Sequence, residues 1–220
     1  MRNKFGQRII DIIRGKQPFK ILHVKYKNIA QIKKHEKVIK LHLGCGKNYI
    51  EGWVNIDNNS DRNIEKLDFK YDLRKRLPFG DNSVDFIFNE HFLEHLTVEE
   101  GQIAIREFYR VLKPNGVLRI AMPDLKKSVE SYLNPNWHID EKEFLEKFHL
   151  NHIQTRAEKL NTEFRSWGHK WLYDWEELER RLKEAGCKNI NQCKIYESNH
   201  PELKNLETRN ESTLIAEVIK

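Results

Sequence analysis

The chain has 220 residues, of which 39% are hydrophobic, 33% are charged and 10% are aromatic. This length suits a single domain with flanking segments, and the aromatic content is sufficient to anchor a hydrophobic core in a soluble protein. The sequence contains no apolar run of the ~18 residues that a membrane-spanning helix needs. Its first residues lack the apolar run and cleavage site of a secretory signal, so we expect a cytoplasmic protein.

Positive charge is concentrated at the N-terminal end. Residues 1–40 hold 12 Lys and Arg against two acids, whereas the other 180 residues hold 27 basic and 31 acidic residues. We therefore divide the chain into a basic N-terminal arm, residues 1–37, and a body, residues 38–220. Residues 5–14 have the apolar spacing of a short amphipathic helix. This helix is expected to pack on the body or to make weak contact with a membrane surface, and the arm could also meet nucleic acid or an acidic partner.

Five apolar runs in the first half of the body predict β-strands. They cover residues 38–43, 53–57, 64–69, 83–88 and 117–122. A helix is predicted before the fifth run, because Thr97 and Glu100 have the spacing of a capping box and the Pro and Gly of residues 113–116 stop a helix. Four apolar residues are expected to form its buried face: Ile103, Phe108, Val111 and Leu112.

The second half of the body predicts a helical insertion, at about residues 125–170, and then a closing region. The insertion is expected to contain one or two helices with loops. Asp174 has the position of a cap for a later helix, and closing strands are predicted at residues 188–196 and 212–219. Strands that alternate with helices favour an α/β fold with a mostly parallel sheet and helices on both faces.

A glycine-rich turn follows the first predicted strand, within residues 41–46 (LHLGCG). Glycine lets the backbone approach a ligand closely, and open α/β sheets bind ligands beyond the carboxyl ends of their strands. Asp57 ends the second strand 13 positions after Gly44, where a carboxylate can accept both hydroxyls of a ribose. A dinucleotide site would need a third glycine and a later acid. No phosphate-binding loop occurs either, so the pattern favours a nucleoside without a pyrophosphate.

Five successive motifs resemble those of class I S-adenosylmethionine-dependent methyltransferases. They are residues 41–46 (LHLGCG), 52–57 (GWVNID), 72–85 (DLRKRLPFGDNSVD), 94–96 (EHL) and 107–118 (EFYRVLKPNGVL). The resemblance covers about residues 38–124. It implies a Rossmann-like, seven-stranded, mostly parallel sheet with helices on both faces and an antiparallel last strand, and S-adenosylmethionine as the cofactor. Residues 169–178 and 196–198 more loosely resemble a subgroup often found with surface-polysaccharide genes.

The resemblance implies cofactor-binding roles for eight residues: Gly44, Cys45, Gly46, Asp57, Asp72, Leu73, Asn89 and Glu90. Gly44, Cys45 and Gly46 would lie against the methionine part, and Asp57 would hold the ribose hydroxyls. Asp72 and Leu73 would meet the adenine. Asn89 and Glu90 would border the sulfonium. The sequence departs from the family pattern in one respect, since Trp53 comes only nine positions after Gly44. This spacing leaves almost no room for the usual helix and implies a loop around the methionine end.

Methyl transfer from a sulfonium is an in-line displacement, and a sugar hydroxyl needs a base to remove its proton. Four residues are candidates for this base: His91, Asp124, His152 and His169. The first two follow the fourth and fifth predicted strands, and the other two lie in or after the insertion that is expected to cover the acceptor. Glu94 and His95 are interpreted as a structural feature at a helix start.

Neither a disulfide framework nor a metal site is predicted. The three cysteines form no CxxC pair, and no carboxylate–histidine cluster is evident along the chain. Residues 89–92 (NEHF) also differ from the pattern of amino-methylating DNA enzymes, which disfavours nucleic acid as the acceptor.

The favoured function is therefore methyl transfer to a small-molecule or glycan acceptor, at a hydroxyl of a sugar or glycan precursor. One alternative is an RNA or protein methyltransferase guided by the basic arm. Another is a binding module that keeps the fold without the activity. The acceptor, the base, the role of the arm and the oligomeric state are left open by the sequence.

Overall fold

A computed structural model of the protein describes residues 38–58, 64 and 66–220. The basic arm, with its expected amphipathic helix at residues 5–14, lies outside the described residues. No helix among the described residues has the length and hydropathy to cross a membrane.

Seven strands form one sheet in the order β3-β2-β1-β4-β5-β7-β6. The strands are β1 (Lys40–Leu43), β2 (Val54–Asp57), β3 (Phe69–Lys70), β4 (Val84–Glu90), β5 (Leu112–Met122), β6 (Asn189–Gln192) and β7 (Leu214–Ile219). All pairs are parallel except those of β7, which runs antiparallel to both β5 and β6. The predicted fold class, a mostly parallel seven-stranded sheet with an antiparallel last strand, is confirmed.

The central strands form because their apolar residues are buried against the rest of the domain. In β5 the seven residues 116–122 are all buried, and in β4 the last four residues are buried. Such continuous burial is typical of parallel strands covered on both faces. The third and sixth strands are shorter than predicted, and the chain leaves the sixth before Tyr196, which has a positive φ of 65° typical of a turn.

Helix α1 (Val98–Val111) begins as predicted, since Thr97 and Glu100 form a reciprocal capping box. Its predicted apolar face was partly wrong. Ile103 is 47% exposed, because the buried face follows residues 101, 104, 105, 108 and 111 and leaves position 103 on the opposite side. Leu112 is buried, but it belongs to β5, where it pairs with Val84 across an irregular register.

The insertion contains four helices instead of one or two. They are α2 (Leu125–Leu133), α3 (Trp137–Asp140), α4 (Lys142–Lys147) and α5 (Arg156–Arg165). Trp137, Leu145 and Ile153 give this segment its own apolar cluster. Because the insertion begins directly after β5, it stands at the carboxyl edge of the sheet. Helix α6 (Trp175–Glu184) follows and is capped by Asp174, as predicted.

Arg119 of β5 is a fully buried cation within the sheet. Its guanidinium lies 2.5 Å from Glu207 and 2.6 Å from Glu217, and it donates to the carbonyl oxygens of Lys194 and Glu197. A buried charge is tolerated only when partners replace its lost hydration. This cluster therefore ties β5 and β7 to the segment at residues 194–207.

Replacing Arg119 with methionine should strongly destabilise the fold, because it leaves two buried carboxylates without a cation. We expect the free energy of unfolding to fall by about 3–5 kcal/mol, measured by urea denaturation. Arg180→Met is the matched control, since Arg180 is half-exposed and pairs with Glu177 and Glu184 on one helix face. It should cost at most about 1 kcal/mol, and equal losses in the two variants would contradict this account of Arg119.

Candidate active site

The carboxyl ends of β1, β2 and β4 meet at one edge of the sheet, as their parallel pairing requires. Nδ2 of Asn89 donates a buried hydrogen bond of 2.7 Å to the carbonyl oxygen of Leu43, which joins the ends of β4 and β1. The glycine turn is joined to β2, because the amide of Gly44 donates to Ile56 and that of Gly46 donates to a carboxylate oxygen of Asp57 at 3.0 Å. Residues 44–53 contain no helix, so a loop surrounds this position, as predicted.

Gly44 is required by two features of this turn. Its φ of 72° lies in the left-handed region, and a Cβ at this position would lie 2.8 Å from the side chain of Phe92. A larger residue would therefore push Phe92 out of place. This contact fixes the glycine turn against the segment that follows β4.

A cavity of about 410 Å³ opens beside this turn. We call it the glycine-side cavity, and its walls include Gly44, Asp57, Asp72, Leu73 and Phe92. Four of the eight predicted cofactor-binding residues thus line one cavity. Hydrogen bonds from Arg74, which outweigh the effect of burial, hold the pKa of Asp72 below its usual range. The cations Arg74 and Lys170 stand in the same wall and balance the charges of Asp57 and Asp72.

A second cavity of about 700 Å³ lies between the strand ends and the insertion. We call it the insertion-side cavity. Its walls include three of the four candidate bases, His91, Asp124 and His169, whereas His152 is exposed and lines neither cavity. His91, His95 and Trp167 line both cavities, so the two spaces meet at these side chains.

His91 occupies this junction in a constrained geometry. Its backbone has a positive φ of 49°, and its Nδ1 lies 3.1 Å from a carboxylate oxygen of Glu94. Its Nε2 is buried and has no hydrogen-bond partner among the described residues. A histidine held through one ring nitrogen and placed where two cavities meet is a candidate general base.

Asp124 and His169 have structural partners as well as exposure to the cavity. Asp124 caps α2 by accepting a hydrogen bond from the amide of Lys126, and burial raises the pKa of its carboxyl group. Nδ1 of His169 lies 2.7 Å from the carbonyl oxygen of Glu163. His169 also brings a ligand atom within 4.8 Å of those of Glu94 and His95, although the sequence predicted no metal site.

The expectation that Glu90 borders the sulfonium stays a prediction, and in the structure its carboxylate has other partners. Both of its carboxylate oxygens accept hydrogen bonds from the C-terminal segment, with donors on Thr208, Arg209 and Ser212, and Glu90 lines neither cavity. Its carboxylate instead holds that segment against β4. Cys45, Gly46 and Asn89 do not line the cavities either. Their hydrogen bonds and packing hold the glycine turn in place. Burial raises the pKa of the Cys45 thiol to about 12.

Several residues of the cavity walls were missed by the sequence analysis. An aromatic wall in the insertion-side cavity is formed by Phe144, Phe148 and Trp167, whose ring centroids lie 4.9–6.5 Å apart. The C-terminal residues Thr208 and Arg209 close the same cavity. No motif marked these positions, because the insertion and the C-terminal segment come together only in the folded chain.

The domain is similar to known proteins in sequence and fold. Residues 48–120 match the family model of a methyltransferase domain. A Haemophilus influenzae protein described only as uncharacterized is 41% identical over 86 residues, covering 34% of this chain and 33% of the relative. The match thus spans about a third of the length of that relative.

Two solved structures share the fold over most of the chain. An S-adenosylmethionine-dependent methyltransferase from Archaeoglobus fulgidus has a TM-score of 0.50 and 18% identity, covering 90% of this chain and 93% of that one. A possible histamine N-methyltransferase from Thermotoga maritima has a TM-score of 0.51 and 16% identity, covering 88% and 87%. At these identities the likeness shows the fold alone.

Gly44→Ala should destabilise the protein more than Gly52→Ala, although both glycines have nearly the same φ, 72° and 74°. A Cβ at Gly52 meets nothing within 4 Å, so that variant isolates the backbone strain of about 1–2 kcal/mol. Gly44→Ala must also displace Phe92, for which we expect a further ~1–3 kcal/mol. Urea denaturation of both variants measures the difference, and equal losses would show that the contact with Phe92 does not constrain the turn.

Proposed function

We propose that this chain, which belongs to the class I S-adenosylmethionine-dependent methyltransferases, transfers a methyl group from S-adenosylmethionine to a hydroxyl of a sugar or glycan precursor. The observation that carries the proposal is the junction of two cavities at His91. One cavity has the residues expected for a sulfonium nucleoside, and the other has walls suited to a small polar acceptor.

Membership of this class, which five motifs predicted, is confirmed by the match of residues 48–120 to a methyltransferase-domain model, and the fold agrees with it. The domain match supports S-adenosylmethionine as the cofactor. The looser likeness to a polysaccharide-associated subgroup stays a prediction, and so does transfer to oxygen.

The glycine-side cavity fits the cofactor in size and in its ribose-side carboxylate. Its volume of about 410 Å³ lies within the range of small-molecule sites. Asp57 provides a carboxylate for the ribose hydroxyls. S-adenosylmethionine would supply an electrophilic methyl group, and this chain's residues would orient it and exclude water.

The walls of the insertion-side cavity favour a sugar over a polyanion. Four cationic residues, Lys127, Lys147, Lys159 and Arg209, are balanced by four acids, Asp124, Glu141, Glu163 and Glu211. Lys147 pairs with Glu211 at 2.7 Å and Lys159 pairs with Glu141 at 2.9 Å, which neutralises both lysines. Nucleic-acid sites instead carry an excess of positive charge. An aromatic wall beside many hydrogen-bonding groups suits a sugar ring, which has apolar faces and polar edges.

Among the candidate bases, His91 has the geometry that supports the role best. Glu94 holds one ring nitrogen, and the residue lines both cavities at the place where the cofactor and the acceptor would meet. Asp124 and His169 would then shape the acceptor cavity, and His152 would have no part in the reaction. We also propose that the basic arm, residues 1–37, makes weak contact with a membrane surface.

Asp57→Asn should weaken the binding of S-adenosylmethionine while it keeps the fold, since asparagine can still accept the hydrogen bond from Gly46. Loss of charge-assisted hydrogen bonds worth ~1.5–3 kcal/mol predicts an affinity about 10- to 100-fold lower, measured by calorimetry. Asp81→Asn is the matched control, because this exposed residue lines neither cavity. The absence of heat with the wild-type chain would overturn the cofactor assignment.

The acceptor is tested by incubating the chain with S-adenosylmethionine and a panel of nucleotide-sugars and glycan fragments, read by mass spectrometry. We expect one panel member to gain a methylene mass. His91→Gln should lower kcat for it by about 10²- to 10⁴-fold, with unchanged cofactor affinity, while His152→Gln keeps the wild-type rate. Methylation of RNA or protein instead, lost at high salt or when residues 1–35 are deleted, would favour the alternative function.

A further inference from the structure

Three side chains from two distant parts of the sequence lie close together near the junction of the two cavities. Glu94 and His95 lie in a 3₁₀ turn, Leu93–His95, directly before α1, and His169 lies after α5. One ligand atom from each lies within 4.8 Å of the others. The backbone holds them in place, because the carbonyl oxygen of Glu94 accepts hydrogen bonds from the amides of Lys170 and Trp171. The cluster is therefore a fixed feature of the fold.

The carboxylate of Glu94 lacks the partners that burial demands. Its side chain is 1% exposed, and neither oxygen has a well-aligned hydrogen bond among the described residues. The contact with Nδ1 of His91, at 3.1 Å, involves one oxygen. Burying a carboxylate without full compensation is costly, and a bound cation is one of the few groups that compensates it.

The hydrogen bond of His169 favours the ring tautomer found in metal-binding histidines. A carbonyl oxygen only accepts hydrogen bonds, so the 2.7 Å contact with Glu163 places the proton of the neutral ring on Nδ1. Nε2 then presents its lone pair. A histidine ligand that donates its other nitrogen to a carbonyl is the usual arrangement around bound metals.

We propose that Glu94, His95 and His169 bind a divalent first-row transition-metal cation. Two imidazoles with one carboxylate favour such ions over Mg²⁺ or Ca²⁺, which prefer all-oxygen sites. Three protein ligands leave coordination positions open. Since His95 lines both cavities and His169 lines the insertion-side cavity, the open positions face the acceptor. The cation would orient the acceptor hydroxyl and polarise its oxygen, a role that rests on the proposed function.

The test titrates Co²⁺ into untagged, chelator-treated full-length chain and follows the visible absorption of the ion and the midpoint temperature of unfolding. We expect saturable binding with one ion per chain, a ligand-field spectrum of mixed nitrogen and oxygen ligands, and a raised midpoint. Glu94→Gln and His169→Gln should each weaken binding by at least about 10- to 100-fold. Glu99→Gln and His152→Gln are matched controls, both exposed, and should bind as the wild type does.

Wild-type chain that binds no Co²⁺, or variants at Glu94 and His169 that bind it as tightly as the wild type, would overturn the proposal. If one variant fails to fold, judged by circular dichroism, the other decides. Calorimetry with S-adenosylmethionine runs in parallel on the same preparation. Cofactor binding without Co²⁺ binding would overturn the metal site alone, whereas the absence of both would overturn the proposed function as well.

Discussion

One buried hydrogen bond, from Asn89 to the carbonyl oxygen of Leu43, holds the ends of β4 and β1 together. Gly44 follows Leu43 directly, and His91 comes two positions after Asn89. Together with the parallel pairing of β1 and β4, this bond therefore fixes the position of the turn expected to meet the cofactor relative to the candidate base. Because a buried polar group that loses its partner costs more than the bond itself contributes, the two strand ends are not free to separate, and the two cavities keep a common boundary.

The acceptor side of the site depends on a second set of buried contacts. Glu90 accepts hydrogen bonds from Thr208, Arg209 and Ser212. These bonds bring the C-terminal segment to the carboxyl end of β4, at the same edge of the sheet as the insertion. Thr208 and Arg209 thereby become walls of the insertion-side cavity. Glu90 thus shapes the insertion-side cavity through this segment.

The sequence predicted the sheet best where the residues of one strand are mostly apolar. The runs that became β4 and β5 are mostly apolar, with Asp85 and Arg119 as the charged exceptions, so burial on both faces was readable from them. The face of α1 was harder, since Ile103 is apolar yet exposed, and only packing against the sheet distinguishes position 103 from position 105. Likewise, α3 and α4 of the insertion pack through a local cluster around Trp137 that no periodic pattern marked.

By itself the sequence determined the local features along the chain: the glycine turn, Asp57, Asp72 and the capped helix. Each of these depends on residues that are close together in the chain. Only the tertiary structure decided which side chains meet across that chain. Glu94 and His169 are 75 positions apart and gave no joint signal, yet backbone hydrogen bonds place them in one cluster. The physical reason is that chemistry at a site depends on distances in space, and long-range packing sets those distances.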